Sequence, residues 1–514
     1  MSTDILAALL DACERTPNAS AMTSGAVTLS YADLRRRVLT VAASLTAEGL
    51  EPGDRVLFSV RPNLDGISLA LGIIAAGGTV VFADPGAGES MFRARAGLAA
   101  PQWVAAESLL YLASTPLLRP VARRRGLELP PYGSVVPDAR HIVAGRWLPG
   151  VPRGSLKLDG LLEGEVASEV LGDPAGEALI IFTSGTTDNP KAVVHSRLSL
   201  GTGLADFADR IEFSPGERVL TDQLMVGIPA LISGAHWLLP PHGANPGAAP
   251  SAYLDLIPDA DVLFAVPAAL GSILTLLEAQ PHRAPHLRAI LLGGAPVLRP
   301  LLERIARQLP QTRVLAIYGM TEILPVAIAD GADKLAFDGA GDFVGELMPT
   351  IDARIDDDEL VLAGEGLAIG YLGTGAIDEL RTGDLGRIDP GNRLVLSGRS
   401  KDMFIRGVTN VYPGLYEPVI AGIDGVADAA MVGLPDEIGD DRVVLVVVPP
   451  SGTPGLSREH PLIESVSRIL PGLIDAAVLP DLVLVAGELP RAGRSQKLDR
   501  AALTTLVSEF VSAS

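Results

Sequence analysis

Short apolar runs of strand length, each reached through a helical stretch and a turn, constrain this chain more than any other feature. Tyr31-Ala-Asp-Leu-Arg-Arg-Arg-Val-Leu-Thr-Val-Ala-Ala-Ser-Leu45 sets its apolar residues at helical spacing. Gly49 and Pro52-Gly53-Asp54 then make a turn, and Arg55-Val-Leu-Phe-Ser-Val60 reads as a strand. The rhythm returns at Leu254–Val266, Leu287–Leu292 and Val314–Tyr318, whose unbroken apolar character is that of parallel strands buried on both faces. The most apolar stretch, Ile67–Ala83, is flanked by Asp65 and Asp84 and carries Gly72, Gly77 and Gly78. It is short for a membrane span and predicts a buried helix followed by a buried strand. Layered α/β is the fold class this pattern predicts.

The texture changes along the chain. Leu117–Leu158 is rich in Pro, Gly and Arg without a clean period and reads as an irregular insertion. After Gly341 come short strands with tight turns, at Asp352-Ala-Arg-Ile355, Glu359-Leu-Val-Leu362 and Leu394-Val-Leu-Ser397, which predict a β-rich subdomain. A new unit begins at Gly398, with a hairpin-like start, a helix near Glu417–Ala421 and strands at Ala429–Val432 and Val443–Val448. The boundary is placed at Ser397–Lys401. It divides the chain into an N-terminal domain, 1–397, and a smaller α+β C-terminal domain, 398–514.

Composition narrows the function classes. Of 514 residues, 48% are hydrophobic, which excludes disorder as the dominant state. A net charge of −20 argues against a nucleic-acid or anionic-membrane surface, so an anionic substrate needs its own local site. Cys13 is the only cysteine, which excludes an internal disulfide and a cysteine-based metal site. The first residues lack a basic stretch and Asp11 breaks their apolar run, so they do not read as a signal peptide. A cytoplasmic protein without stable membrane insertion is the expectation.

The strongest chemical signal is Ile180-Ile-Phe-Thr-Ser-Gly-Thr-Thr-Asp-Asn-Pro-Lys191. A buried strand runs into a loop with hydroxyls at Thr183, Ser184, Thr186 and Thr187, a glycine at 185 and then a lysine. Successive backbone amides, hydroxyl donors and a point charge together make an anion cradle. The Walker A spacing is absent, and an ordinary Ser/Thr-rich turn is the alternative from composition alone. No Gly-x-Ser-x-Gly elbow surrounds Ser184, so a hydrolase is not indicated.

This loop resembles the phosphate-binding signature of the acyl-adenylate-forming superfamily, which includes acyl-CoA ligases, peptide-synthetase adenylation domains and firefly luciferase. Tyr318-Gly-Met-Thr-Glu322 resembles its second signature. Arg381-Thr-Gly-Asp384-Leu-Gly-Arg387 and Gly398-Arg399-Ser-Lys401-Asp402 resemble its third and its hinge. Leu489-Pro-Arg491 with Lys497-Leu-Asp-Arg500 resembles its C-terminal lysine motif, and Leu29-Ser-Tyr31 with Gly53-Asp-Arg-Val56 also fits. These segments occur in the family's order over nearly the whole chain.

The resemblance implies ATP and magnesium as cofactors and assigns residues to them. Thr183, Ser184, Gly185, Thr186, Thr187 and Lys191 would cradle the β and γ phosphates. Glu322 would be the Mg²⁺ ligand, and Thr321 would bond the α-phosphate. Tyr318, Gly319 and the Gly294, Ala295, Pro296 turn would form the adenine side. Asp384 would take the ribose hydroxyls with Arg399 beside it. Lys497 would bridge the substrate carboxylate and the α-phosphate as the catalytic lysine, alongside Thr183, Lys191 and Glu322. His195, Gly319, Met225, Val226 and Ile228 would line the acyl site, and Lys401 would be the hinge of a mobile lid. Read without the family, Asp384 is a turn residue, Glu322 a carboxylate at a helix start, and Lys497 a solvated surface lysine. His195 and the apolar segment 224–231 are core packing on the same terms.

The departures carry information. Asp188 and Ala192 stand where the family has glycines, and Thr221–Leu231 lacks the aromatic-plus-histidine pattern of many acyl pockets. Pro490 to Lys497 is one residue longer than the family's spacing, which leaves Arg494 as the alternative catalytic cation. Asp84-Pro-Gly-Ala-Gly88, the irregular insertion and the segment Arg406–Glu417 resemble long-chain β-lactone synthetases of olefin biosynthesis. The expectation is activation of a hydrophobic carboxylic acid, a fatty or 3-hydroxy fatty acid, followed by transfer to CoA. β-Lactone closure, delivery to a carrier protein or pathway partner, and non-catalytic nucleotide binding are the alternatives.

Overall fold

Local sequence chemistry sets the N-terminal elements. Ser30 caps the helix Tyr31–Ala47 by accepting from the Asp33 amide, and the Asp33 carboxylate returns a bond to the Ser30 amide. Asp4 caps Ile5–Arg15, and Asn63 caps Leu64–Ala75. The helix Leu64–Ala75 is buried at every position but Asp65, which pairs with Arg37, as suits a helix between layers.

These helices cover two sheets. The structure is a computed structural model that describes the chain except residues 1, 86–88, 125–128, 183–190, 242–243, 245, 248, 284, 400–401, 407–408, 436–440, 451–454, 475–477, 493–495 and 513–514, and the side chains of 399, 405, 409–410 and 435. One sheet has nine strands with Leu179–Phe182 near its middle, parallel to Thr79–Phe82 and antiparallel to Ala192–His195. The other has thirteen, with Val262–Ala265, Ala289–Leu292 and Arg313–Met320 side by side and parallel. The apolar runs read from sequence at 55–60, 287–292 and 314–318 are such strands, and 67–83 is the helix Leu64–Ala75 followed by the strand Thr79–Phe82.

One expectation changes and another is extended. Residues 117–158 are not wholly irregular, because Arg140–Ala144 pairs parallel with Trp103–Glu107 and Leu156–Lys157 extends the same sheet. That strand opens on a charged residue and sits near a sheet edge, which hides its pattern. The β-rich stretch after Gly341 has an apolar cluster of its own, with Val344, Leu347, Leu360, Leu362, Leu380 and Leu394, as expected of a subdomain. Asp342–Leu347 pairs with Ile323–Asp330, which pairs with Arg313–Met320, so the meander continues the thirteen-stranded sheet. Gly370–Tyr371 instead joins the nine-stranded sheet against Ala192–His195.

The C-terminal unit has its own core. Asp428–Pro435, Asp441–Val448 and Leu482–Val485 form a three-stranded sheet. Met431, Val443, Leu445 and Val447 face one apolar cluster, and Ala430, Val432, Val444 and Val446 face another. That alternation is the period of a strand buried on both sides. Arg500 locks the last helix, Arg500–Ser512, onto the unit by donating to both oxygens of Glu417 (2.7 and 3.0 Å) and to the Met431 carbonyl. Among the described residues no helix is long and apolar enough to cross a membrane.

Candidate active site

Of the described candidates, Tyr318 meets Asp384, and Glu322 and Lys191 both meet Tyr371. Leu179–Phe182, Ala289–Leu292 and Arg313–Met320 are parallel strands, and their carboxyl ends lead to the loop at 183, to Gly293–Pro296 and to Tyr318–Glu322. Open α/β sheets present ligand crevices at that end of their strands. Gly294 has φ +82°, so its turn needs a residue without a Cβ. Thr183, Ser184, Gly185, Thr186 and Thr187 lie outside the described residues, as do Asp188, Lys401 and Arg494.

Two bonded groups organise the described part. In the first, the Tyr318 hydroxyl donates to Asp384 Oδ2 at 2.6 Å, across 66 residues of sequence. Asp384 is only 3% exposed, and its amide donates to Thr382 Oγ1. A carboxylate so buried is sustained by its bonds. Arg399 stands directly opposite Asp384 in the antiparallel register of Leu380–Ile388 and Arg393–Arg399. The second and third sequence segments therefore meet.

In the second group, the Tyr371 hydroxyl donates to Glu322 Oε1 at 2.9 Å. The Lys191 Nζ lies 5.5 Å from the centroid of the same Tyr371 ring, within cation–π range. Burial, then the charge of Glu322, pushes the Tyr371 hydroxyl well above its ordinary range, so it remains a donor. Nothing in the sequence of Gly370-Tyr371 announces this residue, because its partners come from two distant segments.

His195 takes the packing role of the two weighed for it. It is 4% exposed; Nε2 lies 2.8 Å from the Thr321 carbonyl and Nδ1 lies 3.1 Å from Ser199 Oγ. A carbonyl only accepts, so Nε2 carries the proton and Nδ1 accepts from the serine. Burial lowers its pKa, which keeps the ring neutral. With the Ala368 amide donating to the Glu322 carbonyl, His195 braces the Thr321–Glu322 turn from behind.

Val226 and Ile228 belong to the main core cluster, and Met225 packs half-buried against it. Gly227 explains why: a Cβ there would collide with the Trp237 ring, so the helix Leu224–Ile232 lies flat on that indole. Lys497 is exposed on the two-residue strand Lys497–Leu498, paired with Arg491–Ala492 in the C-terminal unit.

The donor set at the seam bears on which metal would fit. Among the described residues there is no cluster of three or more His, Cys, Asp or Glu side chains. Glu322 offers one carboxylate with Oε1 already oriented. Such a site suits Mg²⁺, which keeps waters and binds through one or two carboxylates plus substrate phosphates.

Comparison with known proteins gives the family and the fold. A family described as AMP-binding enzyme matches residues 9–372. The chain is 29% identical over 467 residues to 3-[(3aS,4S,7aS)-7a-methyl-1,5-dioxo-octahydro-1H-inden-4-yl]propanoyl:CoA ligase of Mycobacterium tuberculosis, covering 83% of this chain and 87% of that protein. It is 28% identical over 477 residues to feruloyl-CoA synthase of an Amycolatopsis species, covering 85% and 87%. The fold matches ATP-bound MatB from Rhodopseudomonas palustris with a TM-score of 0.78 at 23% identity, over 99% of this chain and 100% of that one.

Proposed function

The chain belongs to the AMP-binding enzyme family, and on that premise we propose that it activates a hydrophobic carboxylic acid with ATP and transfers the acyl group to CoA. The observation that carries this reading is the meeting of Lys191, Glu322, Tyr318 and Asp384 at one seam through two bonded groups. The roles follow from chemistry. Lys191 and the 183–187 hydroxyls and amides hold the triphosphate. Asp384 takes the ribose hydroxyls, a job for an acceptor-only group, while the Tyr318 ring and the Gly294–Pro296 turn flank adenine. Glu322 would hold Mg²⁺, which supplies charge neutralisation on the phosphates.

A substrate carboxylate oxygen attacks the α-phosphorus, the α–β phosphoanhydride bond breaks and pyrophosphate leaves. Lys497 stabilises the charge that grows in that attack, with Arg494 as the alternative cation. A CoA thiolate then attacks the acyl carbon; the bond to the AMP phosphate breaks and the thiol proton passes to solvent. In this reading residues 1–397 form the adenylation domain and 398–514 a lid that turns near Lys401. The two relatives named above are ligases of ring-bearing carboxylic acids, and that supports an acid of largely apolar body. We place the enzyme in the cytoplasm.

Mass spectrometry of products from ATP, Mg²⁺ and a panel of aryl, fatty and 3-hydroxy fatty acids, with and without CoA, tests the acceptor. A thioester formed only with CoA is the expected result. A product lighter than a 3-hydroxy acid by one water, made without CoA, replaces the ligase with a β-lactone synthetase.

A further inference from the structure

Tyr371 makes two contacts of different kind with two groups of opposite charge. Its hydroxyl donates to Glu322 Oε1 at 2.9 Å, and its ring receives the Lys191 ammonium at 5.5 Å. The three residues come from separate segments: the end of the 183–191 connection, the turn before Ile323–Asp330, and the strand Gly370–Tyr371. That two-residue strand is itself fixed, because Tyr371 pairs with Val193 and Gly370 with Val194 in the nine-stranded sheet. The Leu372 amide adds a bond to the Ala192 carbonyl. Glu322 is fixed by its own backbone, since its carbonyl accepts from the Ala368 amide and the neighbouring Thr321 carbonyl lies against His195.

A partly exposed glutamate has several rotamers, and a lysine at a loop end has many more. Each would have to be ordered when a metal–nucleotide complex binds. Tyr371 removes part of that disorder for both at once.

We propose that Tyr371 is a positioning residue for the metal–phosphate end of the site. It fixes one oxygen of Glu322, leaving the other for the metal, and holds the Lys191 ammonium at a set place relative to that carboxylate. The inference rests on the reading of Glu322 as the Mg²⁺ ligand. A hydrogen-bonded partner behind a metal ligand orients it and raises its affinity, and removing such a partner weakens metal binding about tenfold or more.

The test is Mn²⁺ titration of the full-length chain with ATP present, read by electron paramagnetic resonance of free Mn²⁺, with thermal unfolding recorded beside it. Tyr371→Phe keeps the ring and loses the donor. Its expected result is a Mn²⁺ midpoint raised about tenfold with the unfolding temperature of the wild type. In a Glu322→Gln background the same change adds little, as expected for residues acting through one group. Tyr371→Leu, which also loses the ring, weakens ATP binding measured without metal beyond Tyr371→Phe. A wild-type midpoint in Tyr371→Phe, while Glu322→Gln still shifts it, overturns the positioning role and leaves the reading of the site intact. Additive effects of the two substitutions overturn it equally. An unshifted midpoint in Glu322→Gln overturns both the positioning role and the metal assignment. Equal ATP binding by the Phe and Leu variants removes the lysine half of the proposal.

Discussion

Asp384 is the residue whose surroundings speak most directly to its use. It is a buried carboxylate that accepts from the Tyr318 hydroxyl, 66 positions earlier. Removing it with Asp384→Ala takes away that buried hydrogen bond, at a cost of about 1–3 kcal/mol of stability. It also removes the proposed ribose acceptor, so the expected kcat/KM for ATP falls more than about tenfold, roughly 1.4 kcal/mol of transition-state binding or more. Tyr318→Phe separates the two effects: it loses the hydrogen bond, about 1 kcal/mol, and keeps the ring proposed to flank adenine. Thermal unfolding and the ATP dependence of pyrophosphate release measure both. Equal losses of ATP binding in the two variants would show that the bond, rather than the carboxylate, is what matters. Tyr318, Glu322 and Asp384 stand in short motif segments, so the sequence alone names them as candidates, and the structure brings Tyr318 onto Asp384. Tyr371 is not legible there, because a lone tyrosine after a glycine has no local pattern, and its partners Glu322 and Lys191 reach it only through the fold.

At the scale of elements, the site is a seam between two sheets. His195 on the strand Ala192–His195 meets the Thr321 carbonyl, and Tyr371 on a neighbouring strand meets Glu322. Sequence patterns identified fully buried strands such as Ala289–Leu292, whose residues are all apolar. They missed Arg140–Ala144, which begins with a charge, and they could not join the meander after Gly341 to the large sheet. Strand pairing depends on which edges meet, and composition does not encode that. The His195 clamp gives a pH signature. Its folded-state pKa is depressed by burial, whereas in the unfolded chain it titrates near 6.5. Below that value the unfolded state binds a proton that the native state refuses, so His195 lowers stability as the medium becomes more acidic. The slope is at most about 1.4 kcal/mol per pH unit until the depressed value is reached. Above pH 6.5 the contribution vanishes. His195→Gln cannot titrate and can still donate to Thr321. Denaturant unfolding of this variant from pH 5 to 7 should show a shallower acid slope than wild type. An identical slope would mean that His195 accepts its proton in the folded state. His141 and His236 shift in the same direction and are present in both proteins, so the difference isolates His195.

For the whole molecule, the central question is how the C-terminal unit serves the seam. It has its own sheet and cores, and Arg500 ties its last helix to Glu417. Lys497 lies on this unit, exposed, several hundred residues from Lys191. The two-step reading makes it specific to the first step. Lys497→Ala should therefore slow acyl-adenylate formation by about a hundredfold or more, while thioester formation from a supplied acyl-adenylate persists. If Arg494→Ala has that profile instead, the longer spacing after Pro490 has moved the catalytic cation.

The most direct measurement is exchange of labelled pyrophosphate into ATP, run without CoA across the acid panel. Exchange that requires both Mg²⁺ and a hydrophobic acid, and that is lost in Asp384→Ala, is the result predicted for a seam that forms acyl-adenylates. ATP binding with no exchange for any acid would contradict the account and leave a nucleotide-binding protein in its place.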